Sequence, residues 1–471
     1  MSGVTGGLMK EAERPREDPG AALHSVRPTE AAEALHAVSR SSVERRSDAL
    51  GEPDWLRERR LAAWDAYERL PVPDTRSDAW RYTDLSRLRW QETRLVPPRA
   101  ERPDRASERL RDSTTASGAV ELEDGEPRGG WLDGALAARG VVFTDLATAL
   151  REHEDLLRPH LLRAAFDPEL GKFAALHGAL LHGGVFLHVP AGVEVPLPLH
   201  CVRSKRYAGG ATFPHTLIVA EAGSRVTFLE ESLSDTLPDL ALSCSATEIL
   251  AQEGARVRVA TLQEWGRHVF AYSLQRARVG RDATVDSLGV TLGGRLSRVE
   301  VQSLLEAQGG TSEMLGLYLG ADDQHMDHHT LQLHRAPHTN SDLLFKGALR
   351  DRSRSAFSGL IKVSKGAQRT DAYQKNRNLL LSPEARADSL PNLEIEANDV
   401  RCSHGATIGQ ADELQLFYLM SRGLPRQVAE RMLVLGFFEE VLARVPLPLL
   451  RERVRAAVER KTAPAPATEA A

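Results

Sequence analysis

The sequence has 471 residues, a formal net charge of -5 and a pI near 6.4, a length that predicts two or three domains or one elongated repeat architecture. The charge balance argues against a basic surface for nucleic acid, so we expect no nucleic-acid partner. No run approaches the roughly 18 to 20 apolar residues that span a bilayer, so we expect no membrane partner.

The cysteines and the N-terminal residues predict a cytoplasmic protein. Cys201, Cys244 and Cys402 are an odd number of thiols at wide spacing, which suits free thiols in a reducing compartment. The stretch MSGVTGGLMKEAERPREDPG has no apolar segment of the secretory type.

The N-terminal part of the chain predicts a tail followed by helices. Residues 1–50 are rich in Glu, Arg, Ser and Ala without sustained periodicity, so we expect a disordered tail. Residues 51–170 are a predicted helical region, in which DWLRERRLAAWDAYERL has apolar residues at helical spacing after Asp54, the expected N-cap. Within this region, residues 96–130 are polar and contain many Pro and Gly, which predicts an inserted loop or linker.

From about residue 171 the helical period gives way to alternation and to a repeated unit. The segments AGVEVPLPLHCV, AGSRVTFLEE and EGARVRVATLQE place Gly192, Gly223 and Gly254 shortly before a valine, at steps of 31 and 31 residues. The weaker echoes are Asp282 before Val285 and Gly310 before Glu313, at steps of 28 and 28 residues. Each unit has a turn residue followed by alternating apolar residues, as in strands joined by tight turns.

The repeat predicts the fold class. Units of this size cannot bury an apolar face alone, so they must stack, and stacked short strands form a β-solenoid or β-helix. A jelly roll or two-sheet sandwich is the alternative, because it also has alternating strands with glycine turns. The regular step favours a mainly β protein with a β-helix core over residues 171–409, flanked by α-helical segments at its N- and C-terminal ends.

Residues 410–460 predict a C-terminal helical domain. Asp412 fits an N-cap, Gly423 fits the position after the first helix, and Pro425 begins the second. The wide apolar stripe of PRQVAERMLVLGFFEEVLARV either caps the solenoid or leaves surface for another protein. Residues 461–471 are expected to form a second disordered tail.

One histidine-rich run offers ligands for zinc or iron, although the sequence has no phosphate loop, nucleophile elbow, H-E-x-x-H or C-x-x-C motif. In the run DDQHMDHHTLQLHRAPH, the side chains of His325, Asp327 and His329 share one face of a strand. No fourth ligand is defined, so hydrogen bonding along a solenoid turn is the favoured interpretation.

A second candidate is the pair Cys402 and His404. At positions i and i+2 of a strand both side chains point the same way, and thiolate and imidazole are ligands that iron and zinc accept. Two ligands cannot close a site, so either the remaining ligands come from another chain or the pair is structural.

Several motifs resemble the SufB/SufD family of iron-sulfur cluster assembly proteins. The segments QKNRNLLLS, SLPNLEI and CSHGATIG are similar to the SufD branch, whereas SufB subunits usually carry a V-E-H-E-A type sequence. The upstream segments EPDWLRERRLAAWDAYERLP and DAWRYTDLSRL also resemble the SufD N-terminal helical region. The resemblance covers about residues 50 to 460, and the long polar N-terminus and the 96–130 insert depart from it.

The resemblance implies a fold and an assembly. It implies a right-handed parallel β-helix with flanking helical domains, which agrees with the solenoid inferred from the repeat. It also implies a non-catalytic scaffold that pairs with a SufB-like subunit and docks a SufC-like ABC ATPase. Such complexes are connected with reduced flavin, but no motif in the sequence locates a flavin site.

The resemblance also assigns roles to residues. His404 matches the SufD histidine implicated in cluster assembly, and Cys402 matches the neighbouring interface cysteine, so both are expected to hold iron or a transient iron-sulfur cluster at the SufB interface. Closure of the ATPase would shift that interface. The residues expected to dock the ATPase are Phe417, Tyr418, Arg422, Met432, Phe437 and Phe438.

Three alternatives remain open from the sequence. The first is a SufB-type scaffold that accepts the persulfide itself. The second is a β-helix carbohydrate-active enzyme, and the third is a free-standing metal-binding protein that uses the histidine run.

Overall fold

Two long parallel sheets that coil around a common interior form the centre of the molecule, as seen in a computed structural model that describes residues 32–86, 88–96 and 115–463. The strands are β1 (Arg94–Leu95), β2 (Gly118–Glu123), β3 (Glu126–Leu132), β4 (Val142–Asp145), β5 (Gly184–Val189), β6 (Leu199–Ser204), β7 (Gly210–Thr212), β8 (His215–Ala220), β9 (Arg225–Leu233), β10 (Ala241–Ala251), β11 (Arg256–Glu264), β12 (Val269–Val279), β13 (Thr284–Thr291), β14 (Leu296–Leu305), β15 (Thr311–Gly320), β16 (His325–His334), β17 (Asn340–Leu349), β18 (Arg354–Val363), β19 (Asp371–Leu380), β20 (Arg386–Ile395) and β21 (Arg401–Gln410). The helices are α1 (Arg40–Ala49), α2 (Asp54–Arg69), α3 (Gly134–Ala138), α4 (Leu146–Glu152), α5 (Glu154–Leu157), α6 (Lys172–Leu180), α7 (Glu413–Ser421), α8 (Arg426–Leu442) and α9 (Pro448–Thr462).

From β8 to β21 successive strands alternate between the two sheets and pair in parallel, which makes the fold a parallel β-solenoid. Sheet 1 has the order β20-β18-β16-β14-β12-β10-β8-β5-β4, and sheet 2 has the order β21-β19-β17-β15-β13-β11-β9-β6-β2-β3. Neighbouring strands along the solenoid pair in parallel and in register. The predicted mainly β fold with a parallel solenoid and flanking helices is therefore confirmed.

The sequence repeat corresponds to the register in which the strands of sheet 2 pair. Val226 pairs with Val257, and Val257 pairs with Val285, so equivalent residues of the repeat stack in consecutive coils. In the next coil Val285 pairs with Ser312 and not with Glu313, so the weakest echo was assigned one residue too far along.

Backbone geometry explains why glycine leads the early units. Gly223 and Gly254 have φ values of +67° and +66°, a region that residues with a Cβ rarely adopt. Their amides continue the stack from turn to turn, since the Gly223 N–H donates to the Glu253 carbonyl at 2.8 Å. Asp282, His338 and Arg369 take the same conformation at the equivalent turns of later coils, which is why the glycine signal fades there.

Helices cover the outer face of sheet 1 near the N-terminal end of the solenoid. Helix α6 is buried along its whole length, and Phe173 stacks on Tyr272 of β12 with ring centroids 5.1 Å apart. Leu56 and Trp64 of α2 belong to the same core. This burial, at about 25 cal/mol per Å² of apolar surface, ties the N-terminal region to the solenoid.

Two C-terminal helices cover the outer face of sheet 2. Val434 and Phe438 of α8 and Val454 of α9 are fully buried against apolar side chains of that sheet, among them Leu317 of β15. None of the helices among the described residues is long and apolar enough to cross a bilayer.

Several boundaries differ from the prediction. Residues 40–49 of the predicted tail form α1, because Ser39 and Ser42 make a capping box and Val43 packs into the N-terminal core. Residues 118–130 of the predicted insert lie in the hairpin β2–β3, which runs to Leu132 and is held by the pairing of β2 with β6. Asp54 is the first residue of α2 rather than its N-cap, which is Pro53.

The remaining boundary predictions have mixed outcomes. The predicted tail from residue 461 begins inside α9, which runs to Thr462. Residues 1–31, 97–114 and 464–471 of the predicted tails and insert lie outside the described residues.

Candidate functional site

The last coil of the solenoid, formed by β20 and β21, has no further strand beside it among the described residues. Of the strands that the structure describes, β20 pairs only with β18 and β21 only with β19, so each strand ends its sheet. One row of backbone N–H and C=O groups on each strand is therefore unpaired, which is the usual basis for strand addition by another chain. We call this surface the open coil.

Cys402 and His404 belong to the interior column of the solenoid. Both lie on β21, where Cys402 pairs with Ala372 and His404 pairs with Gln374. Ala372 and Gln374 are buried in the coil below. The two side chains thus face the direction that is interior in every earlier coil, but Cys402 is only half-buried and His404 is exposed, because no coil covers them.

The electrostatics of the pair favour a protonated thiol. Burial raises the pKa of Cys402 above its ordinary value, and the nearby carboxylate of Asp371 raises it further. A bound metal or a partner base must then remove the proton before the sulfur can act as a thiolate ligand. No group of three His, Cys, Asp or Glu side chains able to hold a metal occurs among the described residues.

The open coil also exposes apolar side chains that the sequence did not single out. Ile408 of β21 is 46% exposed and Ile395 of β20 is 40% exposed, although both lie at inward positions of their strands. The sequence contained part of this information, because the strand period of two places Cys402, His404 and Ile408 on the same face. What the spacing could not reveal is that this strand is the last one.

Helix α7 presents a second exposed apolar surface. Only Leu416 of α7 is buried, whereas Phe417 is 68% exposed. Asp412 caps the helix as predicted, with its Oδ1 accepting from the amide of Leu414 at 2.8 Å. The exposed large apolar residues of α7 are Leu414, Phe417, Tyr418 and Met420, and together with the exposed Met432 of α8 we call them the α7 patch. Arg422 is exposed beside it, with its guanidinium over the Tyr418 ring at 5.3 Å.

Two residues of the predicted ATPase-docking set do not belong to that surface. Phe438 has 0% exposure and packs into the core between α8 and sheet 2, so its side chain offers no surface to a docked partner. Phe437 is half-buried and lies under the ammonium of Lys346 at 4.5 Å, so it too faces the solenoid. A helical apolar stripe does not tell which of its residues meet the fold and which meet a partner.

The histidine run forms an anchor for the N-terminal region. The carboxylate of Asp327 accepts from Arg298 Nη1 and from Thr83 Oγ1, both at 2.6 Å, and His325 Nε2 lies 2.9 Å from the same hydroxyl. His329 Nε2 lies 3.0 Å from the other Asp327 oxygen. Burial alone would raise the pKa of Asp327, but Arg298 and His329 outweigh it and hold the pKa well below the ordinary range.

The histidine run thus matches the hydrogen-bonding interpretation of the sequence. His325, Asp327 and His329 do share a face, but the carboxylate is already engaged by Arg298 and Thr83. The three form no metal-holding group among the described residues, so the low-ranked metal prediction at these positions has no support.

Comparison with known proteins finds the same family across most of the chain. Residues 202–437 match the family model described as SUF system FeS cluster assembly, SufBD core domain. The chain is 31% identical over 423 residues to the iron-sulfur cluster assembly protein SufD of Bacillus subtilis (strain 168), covering 87% of this chain and 94% of that protein. It is 27% identical over 425 residues to SufB of the same organism, covering 87% and 90% of the two chains.

A third relative extends the comparison to another organism. The chain is 30% identical over 411 residues to an iron-sulfur cluster assembly SufBD family protein of Mycobacterium leprae (strain TN), covering 84% of this chain and 91% of that protein. The solenoid, the matched core and these relatives together show that the chain belongs to the SufB/SufD family of the SUF iron-sulfur cluster assembly system.

Proposed function

We propose that this chain acts in the cytoplasm as a SufD-type scaffold subunit that pairs through its open coil with a SufB-like subunit. The observation that carries the proposal is the inward-facing pair Cys402 and His404 on a strand that no further coil of the described chain covers. A second solenoid laid against β20 and β21 would satisfy their unpaired backbone groups and bury Ile408. The proposed complex then has a cluster-assembly site at the junction.

In this proposal the chain contributes a half-site to a cluster that is cargo. The exposed imidazole of His404 is the first ligand offered to iron, because it needs no deprotonation when it is neutral. Cys402 is the secondary ligand, because its raised pKa keeps the thiol protonated until iron or a partner group displaces the proton. Persulfide sulfur and the remaining ligands come from the partner.

The proposal assigns the α7 patch to a SufC-like ATPase. Phe417 and Tyr418 are large apolar side chains that a soluble surface rarely exposes together without a partner. Residue 411 alone separates β21 from the N-cap of α7, so closure of the ATPase would act directly on the strand that carries His404. Hydrolysis belongs to the ATPase, and this chain is the non-catalytic scaffold. Reduced flavin remains a prediction to which no residue is assigned.

Co-expression with the SufB-like and SufC-like subunits tests the half-site. We expect the complex of the His404→Ala variant to purify intact but to lose most of its iron and acid-labile sulfide. The matched control is His153→Ala, a half-exposed histidine in the N-terminal region. Unchanged iron and sulfide in the His404→Ala complex would mean that His404 is structural.

Substitution of Cys402 separates the SufD-type role from the SufB-type alternative. If the chain is a SufD-type subunit, the Cys402→Ser complex should still carry persulfide on its partner subunit. It should lose less iron and sulfide than the His404→Ala complex. Loss of all sulfur transfer while the partner's cysteines are intact would favour the SufB-type assignment.

A further inference from the structure

One carboxylate on α8 is shared by three cations of sheet 2. Glu440 lies 2.5 Å from Lys346 Nζ on β17 and 3.4 Å from both Lys375 Nζ and Arg377 Nη1 on β19. Lys346 is almost fully buried, and its ammonium also donates to the Phe437 carbonyl at 2.7 Å. We call these four side chains the Glu440 clamp.

The charges of the clamp make it sensitive to the position of α8. Burial lowers the pKa of Lys346, and the neighbouring Arg377 and Lys375 lower it further, whereas Glu440 raises it. The hydrogen bond from Lys346 is the main reason that the pKa of Glu440 lies below its ordinary value. When Glu440 moves away, three positive charges remain beside each other on two paired strands, so the docked position of α8 and the packing of β19 depend on each other.

The clamp lies next to the strand that carries the half-site. β19 pairs on one side with β17 and on the other with β21, where Lys375 is opposite Gly405 and Arg377 is opposite Thr407. β19 is therefore the single neighbour that holds the register of β21 among the described residues. The same α8 packs beside α7, so α8 contacts the helix of the α7 patch and, through the clamp, the strand next to β21.

We propose that the Glu440 clamp is the switch that couples the position of α8 to the order of β21. In one state Glu440 is docked on the three cations and β21 is held in register. In the other state α8 is shifted, the cations repel, and β21 with Cys402 and His404 becomes more accessible. Whether a bound partner favours the docked or the shifted state rests on the proposed function. The coupling between α8 and β21 is a property of the chain itself.

The thiol of Cys402 reports on the switch in the isolated full-length chain. Cys201 and Cys244 are fully buried and Cys402 is half-buried, so alkylation by N-ethylmaleimide, followed by peptide mass spectrometry, reads the last coil selectively. We expect Glu440→Gln to increase the alkylation rate of Cys402 about three- to tenfold, and to increase hydrogen exchange in residues 401–410 but not in β15.

Two further variants separate an electrostatic switch from a loosened helix. Glu439→Gln is the matched control, because Glu439 is the adjacent residue of α8 and pairs with Arg455 of α9 at 2.7 Å, away from β19. We expect no change in the Cys402 rate. Adding Lys375→Gln to Glu440→Gln removes one repelling charge and should return the rate toward that of the unsubstituted chain.

The outcomes decide the proposal. Unchanged Cys402 alkylation in Glu440→Gln, or an equal increase in Glu439→Gln, overturns the coupling. Because these measurements need no partner, they remain separate from the half-site test. A positive clamp result with unchanged iron and sulfide in the His404→Ala complex would refute the proposed function and leave the coupling in place.

Discussion

The middle and last coils of the solenoid have the same strand pattern and opposite surroundings. In the middle coils, β10 to β17 have neighbours on both edges, and helices cover much of the outer faces of both sheets. In the last coil, β20 and β21 have one neighbour each. Inward-facing side chains such as Met326 are fully buried in the middle coils, whereas Ile408 is nearly half exposed.

This difference separates the residues that stabilise the fold from those available for function. Polar groups buried in the middle coils must be satisfied inside the chain, as the carboxylate of Asp327 is by Arg298 and Thr83. Inward-facing groups of the last coil are left for another molecule to satisfy. Two histidine positions that look alike in the sequence therefore have different surroundings, because His325 lies 2.9 Å from the Thr83 hydroxyl and His404 is exposed.

The largest expected contrast is between two aspartates at equivalent positions of sheet 1. Asp327 and Asp388 lie two coils apart on one ladder, each paired across from Ala356. Asp327→Asn should lower the free energy of unfolding by about 3 to 5 kcal/mol, because it takes the closer of two carboxylates from the buried Arg298 and leaves only Glu300. Asp388→Asn should change it by less than about 1 kcal/mol, since its partner Arg386 is exposed. Denaturant unfolding measures both, and equal effects would contradict the comparison.

Two phenylalanines of the C-terminal helices sharpen the same contrast. Phe438→Ala should destabilise the chain by about 3 to 5 kcal/mol, because it empties a filled core site between α8 and sheet 2. Phe417→Ala should stay within about 0.5 kcal/mol in stability, because the side chain is exposed, but it should reduce co-purification of the SufC-like ATPase. Retained ATPase binding by Phe417→Ala would remove the α7 patch from the docking surface.

Acidification should reduce the difference in unfolding free energy between the unsubstituted chain and the Asp327→Asn variant. The pKa of Asp327 in the folded chain lies well below its ordinary value, so its contribution to stability is complete above about pH 4 and is lost as the pH falls through the folded value. The unfolding free energies of the unsubstituted and Asp327→Asn chains should therefore converge below about pH 4. Measurements at pH 7 and pH 3 test this, because the difference between the two chains should be smaller at pH 3. An unchanged difference would show that the pKa of Asp327 is the same in the folded and unfolded chains.

Much of the solenoid could be predicted from the sequence, because its repeat is local. Gly223 and Gly254 mark turns that need positive φ, and alternation places Val226 and Val257 in one column. The helix α1 could not be predicted, because a helix of this length and polarity gains its stability from tertiary contacts such as those of Val43.

The site was predictable only in part. The period of two placed Cys402 and His404 on one face, but spacing does not say whether another coil follows. Likewise, the stripe of α8 indicated an apolar face without telling Phe438, which meets the solenoid, from Met432, which does not. Glu440 gave no signal at all, because its three cations come from strands that are distant in the sequence.

The smallest expected effect on stability tests whether the last coil is open in solution. Ile408→Ala should change the unfolding free energy of the isolated chain by less than about 0.5 kcal/mol, because half of the side chain is already in water. Ile361→Ala, at a fully buried inward position of β18, should cost about 2 to 5 kcal/mol. In the complex, Ile408→Ala should weaken binding of the SufB-like subunit on the order of tenfold, as expected for an apolar side chain buried at an interface. Equal destabilisation by both variants in the isolated chain would mean that something already covers β21, and a second copy of this chain would then be the first candidate.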